Sequence, residues 1–225
     1  GRQGAGRRQR RLTRRALGIA LDAGLGAVTL WCTPDARHRF FRALQRTSGV
    51  PCLVQSAGDL GQRMHTAFRL HCAQGPLLLI GTDCPPLTAP HLRRAALALL
   101  QGADAVFHPA LDGGYVLVGL RRPQPELFLG MAWSTAAVMA DTRARARRAG
   151  LRVRELETLW DLDVPADRVR WRAAAAAGPG AAGAQADDIR PADDALAFRP
   201  AATAAAASAP APSPSGGCAW RARSP

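Results

Sequence analysis

A short apolar run near the middle of the chain reads Pro76-Leu77-Leu78-Leu79-Ile80, and it ends abruptly in Gly81-Thr82-Asp83-Cys84-Pro85-Pro86. The run is too short for a helix of ordinary length. Its unbroken hydrophobicity is typical of a strand that is covered on both faces, as in a parallel sheet. Ligands of open α/β sheets bind just outside the carboxyl ends of the strands. Asp83 is therefore a carboxylate at a position where chemistry is commonly carried out.

Strand patterns on either side of this run alternate with helical patterns. We predict further strands at 27–32, 50–55, 105–107, 115–120 and 153–156. The alternation predicts a three-layer α/β/α sandwich with a mostly parallel sheet. Strand 115–120 follows strand 105–107 without room for a crossover helix, so we expect it to run antiparallel.

Composition divides the chain into three parts. Residues 1–11 are basic and are predicted to form a disordered arm, whereas helical spacing starts at Leu12 and the domain extends over 12–172. Residues 173–225 are rich in Ala, Pro and Gly with few large apolar side chains, and this composition predicts a disordered tail.

The net charge of +13 would suit a nucleic-acid-binding protein, but the chain contains no Lys and only one Tyr. An arginine excess without interleaved aromatic residues supports only non-specific contacts, so no specific nucleic-acid partner is expected. The five cysteines form no CxxC pair, which favours reduced thiols in a cytoplasmic protein. No apolar segment approaches the length of a membrane span.

Several polar groups are candidates for a site. Asp83 is suited to hold Mg²⁺ or Mn²⁺, which prefer oxygen ligands, although a turn aspartate is the alternative. Asp161 and Asp163 are two residues apart and would share one face of an extended segment, where either a metal or a helix cap explains them.

Two glycine motifs each have a structural alternative. Asp112-Gly113-Gly114 is suited to a close approach to a ligand, and equally to a hairpin turn. Gly58 and Gly61 at a predicted helix start, together with Arg63, would present donors to a nucleotide, although a capped surface helix explains them as well. Trp133 lines an acceptor pocket or fills the core; local evidence favours the core.

Taken in series, four motifs resemble a bacterial family of GT-A-fold transferases known as glycosyltransferase A, of the selenium/radical-SAM-associated type. That family is related to the guanylyltransferases of molybdenum-cofactor synthesis. The matching segments are 58–64, 80–85, 109–115 and 161–167, in the family's order and spacing.

The resemblance implies a nucleotide-diphospho-sugar transferase-like fold. It also implies that Asp83, Asp161 and Asp163 hold the metal and that Gly58, Gly61 and Arg63 lie near the nucleotide. Donor or acceptor contacts would come from the turn Asp112, Gly113, Gly114 and Tyr115.

Two departures from the family pattern stand out. The family's first strand and its Lys/Arg-bearing phosphate loop have no counterpart at 1–11, and His108 replaces a usual glycine. The resemblance therefore implies an N-terminally truncated domain whose sheet lacks a central strand.

The leading hypothesis is a metal-dependent glycosyltransferase-like enzyme with a nucleotide-sugar donor, an unknown small-molecule acceptor and Asp112 as the candidate base. One alternative is a nucleotidyltransferase that transfers from a nucleoside triphosphate to a phosphorylated small molecule. A second alternative is an inactive or fragmentary nucleotide-binding relative.

Overall fold

The computed structural model describes residues 2–162 and 202–208. Five α-helices are described: α1 (Arg2–Ala23), α2 (Arg39–Ser48), α3 (Leu60–His71), α4 (Ala89–Leu100) and α5 (Val138–Arg148). The strands are β1 (Val28–Thr33), β2 (Cys52–Val54), β3 (Leu77–Ile80), β4 (Ala105–Pro109), β5 (Tyr115–Leu120), β6 (Val153–Glu155) and β7 (Ala202–Ser208).

The strands form one mixed sheet in the order β2-β1-β7-β3-β5-β4-β6. Strand β5 runs antiparallel to both β3 and β4, and the other described pairs are parallel. The predicted direction of 115–120 is thus confirmed. It follows from the short connection after β4, which is long enough for a turn and too short for a crossover helix.

Helices cover both faces of the sheet, which confirms the three-layer α/β/α sandwich. On one face Leu78 and Ile80 pack with α1, α2 and α4. On the other face Leu77 and Leu79 pack with Phe68 of α3 and with α5. Successive residues of a strand point to opposite faces, so every residue of the apolar run is buried against a helical layer.

Helix α1 begins at Arg2, so the prediction of a disordered arm over 1–11 is wrong for 2–11. Arginine and glutamine are good helix formers, and an exposed helix face tolerates their charge and polarity. Contacts with the loop after β3 also hold the helix. Gln9 Nε2 donates to Thr82 Oγ1 at 3.2 Å, and the Arg15 guanidinium donates to the carbonyls of Pro85 and Leu87.

Strand β7 occupies the central place between β1 and β3, where we expected no strand. Its residues pair in parallel register with both neighbours; Ala204, for example, pairs with Thr29 and Leu79. Residues 202–208 therefore depart from the disorder predicted for 173–225. A central strand is held mainly through its backbone N–H and C=O groups, which pair with the strands on both sides.

None of the described helices is both long and apolar enough to cross a membrane.

Candidate functional site

A cleft opens at the carboxyl end of β3, beside the start of β5. A backbone hydrogen bond fixes the floor of the cleft. The N–H of Gly81, at the end of β3, donates to the carbonyl of Val116 in β5 at 3.0 Å. Around this floor lie Leu60, Met64, Leu79, Asp83, Asp112, Gly114, Tyr115, Val118, Trp133, Ser134, Thr135, Val138 and Asp161.

Asp83 lies in this cleft and is 8% exposed. Asp161 lies in the same cleft, where the segment after β6 positions it. The chain after β6 runs along the end of β4, where the N–H of Leu159 donates to the carbonyl of Pro109 at 2.8 Å. The N–H of Leu162 then donates to the carbonyl of Asp83 at 3.0 Å. The fold thus brings together two carboxylates that are far apart in the sequence.

The thiol of Cys84 lies beside these carboxylates. Burial raises its pKa, and the negative charges of Asp83 and Asp161 act in the same direction, while the hydrogen bond with Leu87 and the charge of Arg15 oppose it less strongly. The thiol is therefore neutral at physiological pH. The raised pKa disfavours the thiolate, which is the nucleophilic form of cysteine.

Asp83 and Asp161 supply oxygen ligands of the kind that Mg²⁺ and Mn²⁺ prefer. No group of three or more His, Cys, Asp or Glu side chains that could hold a metal occurs within the described part of the chain. The remaining predicted ligand, Asp163, lies outside the described residues. The three-carboxylate metal site therefore stays a prediction, and the two carboxylates in the cleft are compatible with it.

The turn 112–115 forms a second edge of the cleft. The Gly114 N–H donates to Asp112 Oδ1 at 2.9 Å, which closes the turn with the carboxylate on the cleft side. Gly113 has φ +90°, and a Cβ built there would lie 2.1 Å from the carbonyl oxygen of Ala136. Gly113 is thus required for packing against the segment before α5, while Asp112, Gly114 and Tyr115 face the cleft.

The residues predicted to bind the nucleotide mainly stabilise the N-terminus of α3. The Arg63 guanidinium donates to the carbonyl of Gly58 at 2.9 Å, and Gly58 has φ +104°. Asp59 and Gln62 form a capping box at the helix start. None of Gly58, Gly61 and Arg63 lines the cleft, although their neighbours Leu60 and Met64 do. Their nucleotide-binding role stays a prediction.

Gly61 instead permits close packing of the cleft wall. A Cβ at this position would lie 2.2 Å from the carbonyl oxygen of Phe128 and 2.8 Å from Trp133 Nε1. Trp133 in turn packs edge-on against Tyr115, with the ring centroids 6.4 Å apart. Trp133 is thus partly buried against the core on the α3 side of the sheet and also lines the cleft, while its role at an acceptor stays a prediction.

Sequence reasoning missed Ser134 and Thr135, which also line the cleft. Neither residue caps α5, because the helix begins at Val138 and its N-cap residue is Ala137. Ser134 has φ +63°, a conformation that a non-glycine residue rarely adopts. A capping pattern in sequence cannot distinguish a helix start from such a loop, so no local signal marked these residues.

A second polar cluster lies on the opposite side of the sheet and contains the unexpected His108. This side chain is fully buried, and its ring centroid is 5.2 Å from that of His91 on α4. Glu157 lies 3.0 Å from His91 Nε2, and Arg94 pairs with the same carboxylate. Burial lowers the pKa of both histidines, that of His91 to about 4, so both rings are neutral near pH 7.

The α/β/α fold is of the nucleotide-diphospho-sugar transferase-like class, as comparison with a solved structure shows. A protein of Desulfovibrio desulfuricans G20, provisionally assigned as a nucleotide-diphospho-sugar transferase, has a similar crystal structure. It is 28% identical to this chain with a TM-score of 0.62, and the match covers 69% of each chain.

The family model described as "Uncharacterized protein conserved in bacteria (DUF2064)" matches residues 17–135. The chain belongs to this family. No curated protein matches it significantly.

Proposed function

We propose that this protein is a transferase that uses a nucleotide-activated sugar as donor. The observation that carries the proposal is the convergence of Asp83 and Asp161 in one cleft at the carboxyl edge of the sheet. The similarity to the Desulfovibrio protein supports the class of donor. The four sequence motifs further support the glycosyltransferase A group, of the selenium/radical-SAM-associated type, within that class.

Asp83 and Asp161 would hold a Mg²⁺ or Mn²⁺ ion, with Asp163 as a third ligand. When bound, such an ion neutralises charge on the diphosphate of the donor and on the departing nucleoside diphosphate. The burial of Asp83 strengthens its attraction for a cation, because a partly desolvated carboxylate is screened less by water.

Asp112 is our candidate for the group that receives the proton of the acceptor. It lies across the same cleft from β3, on a turn that Gly113 and Gly114 hold in place. A carboxylate at this position is able to accept a hydrogen bond from an acceptor hydroxyl and orient its oxygen toward the sugar. Tyr115 and Trp133 exclude water from one side of the cleft.

Thermal-shift measurements on the full chain test the proposal. We expect nucleotide sugars to raise Tm in the presence of Mn²⁺, and we expect Asp83→Asn to abolish this shift. Asp22→Asn is the matched control, because Asp22 is exposed on α1 and is not among the residues that line the cleft. Loss of the shift in both variants, or its absence in the wild-type protein, would contradict the proposal.

Product analysis separates the two kinds of transfer. Glycosyl transfer releases a nucleoside diphosphate, whereas nucleotidyl transfer from a triphosphate releases pyrophosphate. Release of pyrophosphate in an Asp83-dependent manner would favour nucleotidyl transfer over our proposal.

A further inference from the structure

The segment that carries Asp161 into the cleft contains a bulge. Up to Glu155 the segment pairs with β4 in parallel register, and Phe107 lies opposite Glu155. Three residues further along β4, Ala110 lies opposite Leu159, which is four residues after Glu155. The segment therefore has one residue more than β4 over this interval. A β-bulge of this kind is rare between parallel strands, and bulges often lie beside functional sites.

Backbone hydrogen bonds hold the segment on either side of the bulge. Before it, the N–H of Leu156 donates to the carbonyl of Phe107 at 2.9 Å. After it, the N–H of Leu159 donates to the carbonyl of Pro109 at 2.8 Å. Glu157 lies between these two bonds, where the bulge interrupts the regular ladder. The position of the rest of the segment depends on how this interruption is held.

The imidazole of His108 holds the bulge. Its Nδ1 lies 2.8 Å from the carbonyl oxygen of Glu157. A carbonyl oxygen only accepts hydrogen bonds, so Nδ1 carries the proton and donates. The His108 side chain is fully buried, so its end of the bond is shielded from water. The bond therefore ties a backbone atom of the bulge to β4.

The carboxylate of Glu157 is held separately by α4. It lies 3.0 Å from His91 Nε2, and Arg94 pairs with it. The side chains of Arg94 and Glu157 are 42% and 43% exposed, and an ion pair between exposed groups contributes little to stability. These contacts restrain a side chain, whereas the bond from His108 restrains the backbone that leads to Asp161.

The bulge decides which side chain enters the cleft. The segment continues from Leu159 to Leu162, whose N–H donates to the carbonyl of Asp83 at 3.0 Å. Asp161 precedes this bond and lines the cleft together with Asp83. Loss of the bulge would shift the segment by one residue, which is about 3.3 Å along an extended chain, and would exchange the faces of its side chains. Asp161 would then leave its place beside Asp83.

We propose that His108 is a positioning residue for this cleft. By holding the bulge through the Glu157 carbonyl, it places Asp161 beside Asp83. The inference rests on the proposed function, in which these two carboxylates hold a cation. His108 is not among the residues that line the cleft, so it acts through the segment and not on a bound molecule.

Matched variants separate this role from a general contribution to stability. His108→Leu removes the donor, whereas His108→Asn keeps a side-chain N–H donor. Val106→Ala is the control, because Val106 is fully buried on the same face of β4 and its truncation weakens the core without removing the bond. If His108→Leu does not fold, His108→Met, which is more flexible and also lacks the donor, replaces it in every comparison.

Hydrogen exchange measured by NMR on the full, metal-free chain reports the docking of the segment. The amide of Leu162 exchanges when its bond to Asp83 opens. Its rate is compared with those of amides in β3 and β5, so that a global loss of stability cancels. We expect the relative rate to rise about three- to tenfold in His108→Leu, the range that the net loss of one hydrogen bond gives. In His108→Asn and Val106→Ala it should stay near the wild-type value.

Titration with Mn²⁺ alone, followed by electron paramagnetic resonance of the free ion, tests the consequence for the site. We expect His108→Leu to weaken Mn²⁺ binding about three- to tenfold, and we expect His108→Asn and Val106→Ala to leave it unchanged. In an Asp161→Asn background, His108→Leu should weaken binding no further, because two residues that act through one interaction are not additive.

The inference is overturned if His108→Leu leaves the relative exchange rate of Leu162 unchanged, or if Val106→Ala weakens Mn²⁺ binding as much as His108→Leu does. It is also overturned if His108→Asn behaves like His108→Leu, since the donor would then be irrelevant. A wild-type protein that does not bind Mn²⁺ contradicts the proposed function instead. The exchange rates of Leu162 then still decide whether His108 positions the segment.

Discussion

Replacing Gly61 by alanine tests whether the cleft wall is packed as closely as the structure shows. The added Cβ would lie 2.2 Å from the Phe128 carbonyl oxygen, a backbone atom, and 2.8 Å from Trp133 Nε1. A side-chain rotation does not relieve a clash with backbone. Helix α3 or the segment 128–133 must therefore shift by roughly 1 Å in an interior that is otherwise close-packed.

The expected magnitude follows from two opposing effects. Overpacking of this kind costs about 1–3 kcal/mol. Alanine is favoured over glycine inside a helix by up to about 1 kcal/mol, which offsets part of that cost. We therefore expect Gly61→Ala to lower the free energy of unfolding by about 1–2 kcal/mol.

Gly18 provides a matched control within α1. Nothing lies within 4 Å of a Cβ built at Gly18, so Gly18→Ala gains helix propensity without a clash. We expect this variant to be more stable than the wild-type protein by about 0.5–1 kcal/mol. The same chemical change should thus have opposite signs at the two positions.

Urea denaturation of both variants, followed by circular dichroism, gives the two free energies. The packing argument fails if Gly61→Ala is as stable as wild type or more stable, while Gly18→Ala behaves as expected.

Three other predictions concern the sheet and the pair His91 and His108. His91→Gln keeps an acceptor for the Thr88 N–H in the capping box at α4 but cannot titrate. Because burial and the neighbouring His108 lower the pKa of His91 to about 4, wild-type stability is full above pH 6.5 and falls, by up to about 3 kcal/mol, as the pH drops towards 4. Tm measured against pH should fall less steeply in His91→Gln; identical slopes would contradict the assignment. Ala204→Pro removes an N–H from β7 and should lower Tm strongly, whereas Ala204→Ser should not; equal Tm values would place 202–208 outside the sheet. Gly119→Ala puts a Cβ 2.5 Å from Leu78 Cδ2, and its free energy of unfolding in urea should be lower by about 1–3 kcal/mol, so an unchanged value would argue against that close packing.

The hydrophobic pattern determined most of the architecture. The unbroken run 77–80 predicts a strand buried on both faces, and the short link before Tyr115 predicts its antiparallel direction. Both predictions are confirmed. The hydrophobic pattern along a strand and the length of a connection are local properties of the sequence, so they do not depend on where the strand lies in the fold. The position of Asp83 at the strand end follows from the same pattern.

The assembly of the cleft was decided by tertiary structure. Asp161 meets Asp83 because the chain after β6 is bonded along β4, and Trp133 becomes a cleft wall because Gly61 lets it approach α3. The central place of β7 is equally non-local, since alanine has little strand preference of its own. Strand β7 is held there by backbone pairing with β1 and β3, which are far from it in the sequence. A local sequence pattern cannot predict such a pairing.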